Sequence, residues 1–269
     1  MADDGSEVFT IDLRRLTFAS PLDLAGVAAL AEHHAVSGSV RLQLPTDEAV
    51  TSYLGRMNLL DNLPGQVSLE GPVPGGDRRA LDKILVEVSR VTSAEDAEGM
   101  WARFGDIALT HFGESAKLVF KATGELLGNA VTHGSQPGAV ITAAQYYSGK
   151  TSGRGGLEVA ICDTGVGVLR HLRRNPRFAR ITTSTAALRV AFQAGASGVA
   201  EDKDRGFGLA DVLQLVGRLD LASLILASGD CALFKRWNGR LLLTQETRLI
   251  TPIEGTWAWL RVRLPRGEE

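Results

Sequence analysis

Apolar residues along this chain alternate between strand-like and helix-like spacing. A period-two run covers Val8 to Leu13, a helical pattern Leu22 to His34, a second strand-like run Ser39 to Leu44 and a further helix about Asp47 to Met57. Ser20 followed by Pro21 predicts a capped helix start with proline at its first position. Strand, helix, strand, helix in so short a stretch predicts a small α/β unit. Leu63 to Asp77 then holds three prolines and four glycines, which predicts a turn-rich linker. The chain is expected to divide there, into residues 1–74 and 78–269.

The pattern restarts beyond the linker. Lys83 to Ser89 alternates like a strand, Ser93 and Asp96 form a capping-box signature, and a helix is predicted from there to about Phe112. From Ser115 to His133 the apolar positions Leu118, Val119, Ala122, Leu126, Leu127, Ala130 and Val131 form one buried helical stripe, with Glu125 and Asn129 beside it. Gly134 to Gly138, containing Pro137, stops that helix. Ala139–Tyr146 and Leu157–Asp163 read as a strand hairpin across a polar Gly/Ser turn. A long variable segment, Val168 to Arg205, precedes a helix from Leu209 to Val216 and three strand candidates, the last being Thr256 to Leu264.

Composition narrows the class. The chain has 269 residues, 44% of them hydrophobic and 22% charged, as expected of an ordinary globular protein with ample core. A net charge of −2 offers no bulk electrostatic attraction for nucleic acid or an anionic membrane. Cys162 and Cys231 are far apart and outside any CxxC, so neither a disulfide framework nor a zinc site is indicated. No run approaches the ~20 apolar residues that span a bilayer. The acidic start, Met1 to Glu7, lacks a basic and an apolar region. A cytoplasmic location is the expectation.

Three islands carry the chemistry. Glu125-Leu-Leu-Gly-Asn129 sets a carboxylate and a carboxamide one helical turn apart on one face. Asp163-Thr-Gly165-Val-Gly167 puts an acidic acceptor at the end of an apolar strand, followed by glycines that let the backbone turn under a ligand. Gly206-Phe-Gly208-Leu209 is a glycine-rich loop opening a helix, where free N–H groups and the helix dipole favour phosphate. Together they read as a purine nucleotide site.

In this order the islands resemble the N, G1 and G2 boxes of the GHKL superfamily of histidine-kinase-like ATPase domains. Gly255-Thr256, opening the last strand, resembles that family's closing Gly-Thr. The resemblance spans residues ~80–265 and implies a two-layer Bergerat ATP-binding sandwich, an α/β (α+β) fold with a mixed sheet and helices on one face. It implies ATP and Mg²⁺ as cofactors. Asn129 would be the metal ligand, since a hard cation takes oxygen donors. Glu125 would be the base. Asp163 would accept from the adenine amine, with Gly165 and Gly167 allowing close approach and Thr256 in support. Gly206, Gly208 and Leu209 would offer N–H groups to the phosphates.

Lys203 and Arg205 flank that loop. Arg170, Arg173, Arg174, Arg177 and Arg180 form a basic cluster with His171, where the family has its ATP lid; a solvated face and a grip on phosphates or an acidic partner are both open. His133 reads as structural, and His33, His34 and His111 receive no role.

Residues 1–74 resemble a degenerate STAS domain, the fold of bacterial anti-anti-sigma factors, on Ile11 to Phe18, Val40 to Pro45 and Tyr53 to Leu60. Ser20-Pro21-Leu22-Asp23 stands where regulatory members carry Asp-Ser-Ser-Gly, so Ser20 is expected to cap a helix rather than accept phosphate.

The first box is especially similar to that of anti-sigma-factor serine kinases. The compact length, without a phosphoacceptor hairpin or transducer domain, implies the same branch. The expected function is an ATP·Mg²⁺-binding regulatory protein that phosphorylates Ser or Thr on a STAS-type or sigma-factor-regulating partner, with a homodimer possible and no nucleic-acid or membrane partner. The alternatives are a non-catalytic ATP-gated interaction module and a stand-alone ATPase.

Overall fold

The computed structural model describes residues 8–74, 81–134, 139–149, 155–198, 208–239 and 241–263. Helix α1 (Pro21–Ala35) organises the first part of the molecule. Ser20 and Asp23 close a capping box around its start, with Pro21 in the first turn. The run Leu24-Ala-Gly-Val-Ala-Ala29 with Ala31 is buried all round the helix. A helix without a polar face must be covered on both sides. One side meets a parallel three-stranded sheet of β1 (Phe9–Asp12), β2 (Val40–Gln43) and β3 (Val67–Glu70). The other side lies on a second, larger sheet. β3 falls inside the proline- and glycine-rich stretch expected to be a linker. Helix α2 (Glu48–Arg56), capped by Asp47, completes this unit.

The larger sheet has the order β4-β5-β6-β8-β7, formed by β4 (Leu85–Val91), β5 (Val140–Tyr147), β6 (Gly156–Asp163), β7 (Leu221–Asn238) and β8 (Leu241–Arg263). A mixed sheet was expected, yet all four pairings are antiparallel. β5–β6 and β7–β8 join strands consecutive in the chain, and β4–β5 and β6–β8 pair in the same antiparallel sense.

Alternation along the strands splits the core in two. Leu157, Val159 and Ile161 of β6 face helices α3 (Ala94–His111), α4 (Ala116–Asn129) and α7 (Gly208–Val216). Ala160 and Cys162 face α1. The small side chains on that second face let the helix sit close. A Cβ on Gly26 would stand 2.8 Å from the Trp257 ring on β8. The core therefore runs across residue 75, and polar pairs stitch its rim. Arg90 of β4 forks onto Glu32 of α1 at 2.5 and 2.7 Å, and Glu87 holds both Arg56 of α2 and Arg103 of α3.

One expectation for the second half changes. Three closing strands resolve into the two long strands β7 and β8, which break register near Gly229. The described part of the segment after Gly167 holds α5 (Gly167–Leu172), a 3₁₀ turn at Pro176–Phe178 and α6 (Ser184–Ala191), gathered around Leu172, Phe178 and Ala187. Among the described residues no helix is long and apolar enough to cross a membrane.

Candidate functional site

The site is built around a bulge in β8. Ala227 pairs with Trp257 and Gly229 with Ile253, so a single β7 residue, Ser228, faces Glu254, Gly255 and Thr256. Bulges of this kind re-aim side chains beside functional sites. The pairing of β6 with β8 ends at Cys162–Trp257, which leaves Asp163 beyond the last pair and against the bulge. Gly255 has φ +75°, and a Cβ there would lie 2.0 Å from the Asp163 carbonyl oxygen, so only glycine lets the two strands close at this point.

Asp163 is 4% exposed. Its Oδ1 accepts from the Gly165 N–H at 3.0 Å, and the backbone and side chain of Thr256 also hydrogen-bond to it. Burial nevertheless pushes its carboxyl up to about 7, against the downward pull of the Gly165 and Thr256 bonds. Thr164 anchors the turn, its N–H donating to the Ala139 carbonyl and its hydroxyl accepting from the Ala139 N–H.

Gly167, at φ +73°, lies against the same bulge. A Cβ there would meet Ser228 Oγ at 2.8 Å and the Gly255 carbonyl oxygen at 3.1 Å. Ser228 is 3% exposed and ties the parts together: its hydroxyl donates to the Gly255 carbonyl at 2.7 Å and accepts from the Val168 N–H at 3.0 Å. Sequence reasoning missed this serine, because only the strand pairing brings it opposite Gly255.

Asp163, Gly167 and Thr256 line a cavity of about 820 Å³, open solvent included. Its walls also include Leu126, Ile161, Leu172, Leu226 and Ala258, together with Asn129, Gly208 and Leu209. Such a chamber, mostly apolar with a few convergent polar groups, is the usual form of a small-molecule site. His171 turns away from the neighbouring arginines to line it and accepts from the Gly198 N–H at 3.1 Å, closing one wall. Arg170, Arg173, Arg174, Arg177 and Arg180 are all exposed. Arg170 reaches toward Glu254 at 3.8 Å, and Arg177 lies over the Phe178 ring.

Glu125 and Asn129 stand one turn apart near the end of α4, which passes into a π-helical turn at Ala130–Gly134. A Cβ on Gly208 would come within 2.9 Å of both Asn129 Nδ2 and Glu125 Oε2, so the start of α7 lies directly against these two side chains. Asn129 Nδ2 is buried, with no hydrogen-bond partner among the described residues. A carboxamide left unsatisfied beside a cavity is available to a ligand. Burial, with the nearby charge of Asp211, raises the Glu125 carboxyl. Glu125 does not line the Asp163 cavity. It lines a second groove with Trp101, Lys121, Gly124, Gly128, Asp211, Gln214, Leu215 and Arg218.

The structure thus gathers Asp163, Gly167, Thr256, Asn129, Gly208 and Leu209 around one cavity, sets Gly165 against Asp163, and leaves Glu125 on the second groove. Gly206, Lys203 and Arg205 lie outside the described residues, as does the His133 side chain. Among the described residues no group of three or more His, Cys, Asp or Glu side chains could hold a metal. His111 stacks on Tyr146 and His34 on Phe9, in packing roles. A scan against protein-family models finds no match to this chain, and a search of curated proteins finds none.

Proposed function

We propose that the protein binds ATP with Mg²⁺ in the Asp163 cavity and acts as a regulatory protein of the anti-sigma-factor serine-kinase type, with the Bergerat architecture that the order of its motifs implies. The supporting observation is the cavity itself. A buried carboxylate acceptor lines it, and so does a glycine at a helix start that lies against Glu125 and Asn129.

An adenine ring suits the apolar walls, and its exocyclic amine supplies the donor that a buried acceptor needs. The phosphates would lie toward α7, whose first N–H groups and dipole favour negative charge. Mg²⁺ fits the Asn129 carboxamide oxygen and would neutralise charge between the phosphates. Glu125, whose carboxyl burial raises, would take a proton from an attacking hydroxyl. Kinase activity on a STAS-type or sigma-factor-regulating partner extends this reading.

Isothermal titration with ATP and Mg²⁺ tests it. Binding that Asp163→Asn weakens at least tenfold is the expected result, while no heat at millimolar nucleotide sinks the reading. Glu125→Ala then separates kinase from gated module: it abolishes phosphotransfer and leaves ATP affinity in place.

A further inference from the structure

We propose that the solvent-facing side of the segment from Arg170 to Arg180 docks an acidic stretch of a partner polypeptide, one rich in Glu or Asp side chains.

Charge is unevenly placed along this chain. From Thr164 to Ala200 there are six arginines and none of the chain's 31 Asp and Glu residues. Arg170, Arg173, Arg174, Arg177 and Arg180 crowd the first half of that stretch, and all five are exposed. The whole chain carries a net charge of −2, so this positive potential is local to one element.

Packing holds the five side chains on a fixed backbone. Helical hydrogen bonds continue past α5, from the Arg173 N–H to the Leu169 carbonyl at 3.1 Å and from the Arg174 N–H to the His171 carbonyl at 3.2 Å. Asn175 Oδ1 then accepts from the Arg177 N–H at 3.0 Å, and Asn175 Nδ2 donates to the Ser197 carbonyl at 2.9 Å. Leu172 and Phe178 are buried in one cluster with Ala187 of α6. The same element lines the Asp163 cavity with Val168, His171 and Leu172, which leaves the arginines toward solvent.

Exposed arginines at three other places show the contrast. Arg14 pairs with Asp12 at 2.7 Å, Arg41 with Glu70 at 3.0 Å and Arg189 with Glu246 at 2.5 Å. Here Arg170 reaches one carboxylate, Glu254, at 3.8 Å, and among the described residues Arg173, Arg174, Arg177 and Arg180 form no ion pair. Arg170, Arg173, Arg174 and Arg177 stand three or four residues apart, the spacing at which like charges on helical turns repel. Carboxylates from a second chain relieve that repulsion. Each guanidinium fork can take one through two parallel N–H bonds, which a lysine cannot do.

The surface lacks what other polyanions use. Its aromatic residue, Phe178, is buried, so no ring is presented for bases to stack on. Among the described residues, none of the large exposed apolar side chains lies in it to enter a bilayer. Charge complementarity without an apolar component favours an acidic polypeptide.

The experiment titrates the full chain, without nucleotide, into fluorescein-labelled octaglutamate and follows anisotropy. Octalysine and a single-stranded oligothymidylate of charge equal to octaglutamate are the parallel probes. Saturable binding of octaglutamate is expected, with none of octalysine and at least tenfold weaker binding of the oligothymidylate. Arg173→Glu combined with Arg177→Glu weakens octaglutamate binding at least tenfold, and Arg173→Gln combined with Arg177→Gln at least threefold. Arg15→Glu combined with Lys117→Glu makes the same change in net charge at exposed positions elsewhere and leaves the affinity within twofold. Equal losses in the two charge-reversed pairs overturn the proposal, because bulk charge would then account for the binding. Tighter binding of the oligothymidylate, or no binding of octaglutamate at millimolar peptide, overturns it as well. No nucleotide is present, so none of these outcomes bears on the ATP reading.

Discussion

Asp163 is a carboxylate held at the end of a strand where water reaches it poorly, and its ionisation is therefore linked to folding. The folded carboxyl sits at about 7 against an ordinary 3.8, so the folded state keeps a proton that the unfolded chain has lost. Its contribution to stability is full below about pH 4 and is lost as pH rises to about 7, at a slope of at most about 1.4 kcal/mol per pH unit. Asp163→Asn is expected to remove that slope, as read by urea denaturation between pH 4.5 and 8. In adenosine titrations the wild type is expected to release a proton on binding below pH 7, seen as a dependence of the heat on buffer ionisation. Ser228 gives a second residue-scale prediction. Ser228→Ala leaves the Gly255 carbonyl and the Val168 N–H without their shared partner, which costs about 1–3 kcal/mol and weakens ATP binding without removing a wall of the cavity. Thermal unfolding and titration of one variant measure both. Asp163, Thr256, Asn129 and Glu125 stand out in the sequence because their types and order carry chemistry. Ser228 and His171 were not, since a lone serine on a strand and a histidine among arginines carry no signal until pairing places them.

Helices and strands show where local chemistry suffices. Ser20 with Asp23 and Ser93 with Asp96 form the capping boxes that their spacing predicts. The stripe on α4 buries Val119, Ala122, Leu126 and Leu127 as its period requires. β3 was hidden because its few residues lie among prolines and glycines and gain strand character only by pairing with β2. α6 was hidden inside a segment whose polar residues mask a short apolar face at Ala187, Leu188 and Ala191. A pair of glycines one turn apart on α4 tests the element scale. A Cβ on Gly124 would stand 2.6 Å from the Trp101 ring, whereas one on Gly128 meets open space. Gly124→Ala is expected to destabilise by about 1–3 kcal/mol through overpacking, and Gly128→Ala to stabilise by up to about 1 kcal/mol. Denaturation midpoints of the two variants give the comparison directly.

At the scale of the whole molecule, α1 is the shared centre. It fills the space between the parallel and the antiparallel sheet, and its Gly26 rests on Trp257, the residue between Thr256 and Ala258 of the cavity. Gly26→Val forces a methyl pair into that contact. A loss of about 1–3 kcal/mol is expected, together with weaker ATP binding, because the displaced ring belongs to β8, whose Gly255 and Thr256 pack against Asp163. Equilibrium unfolding should follow a single transition for both sheets, by tryptophan fluorescence and far-ultraviolet dichroism alike. A fragment beginning at residue 81 is expected to aggregate, since it bares Ile141, Ala143, Ala160 and Cys162 on the face that α1 covers.

What the amino-acid order alone determined is chemistry that is local in the chain: the caps, the buried stripes, the carboxylate and carboxamide one turn apart, and the acid at a strand end before glycines. Those features depend on periodicities of two and 3.6 residues and on side-chain type, which are present before folding. Tertiary structure decided the rest. It closed the bulge on Asp163, turned His171 inward, set α7 against α4 so that a groove opens beside Glu125, and placed α1 between two sheets. Each of these joins residues far apart in sequence, and packing, not spacing, selects such partners.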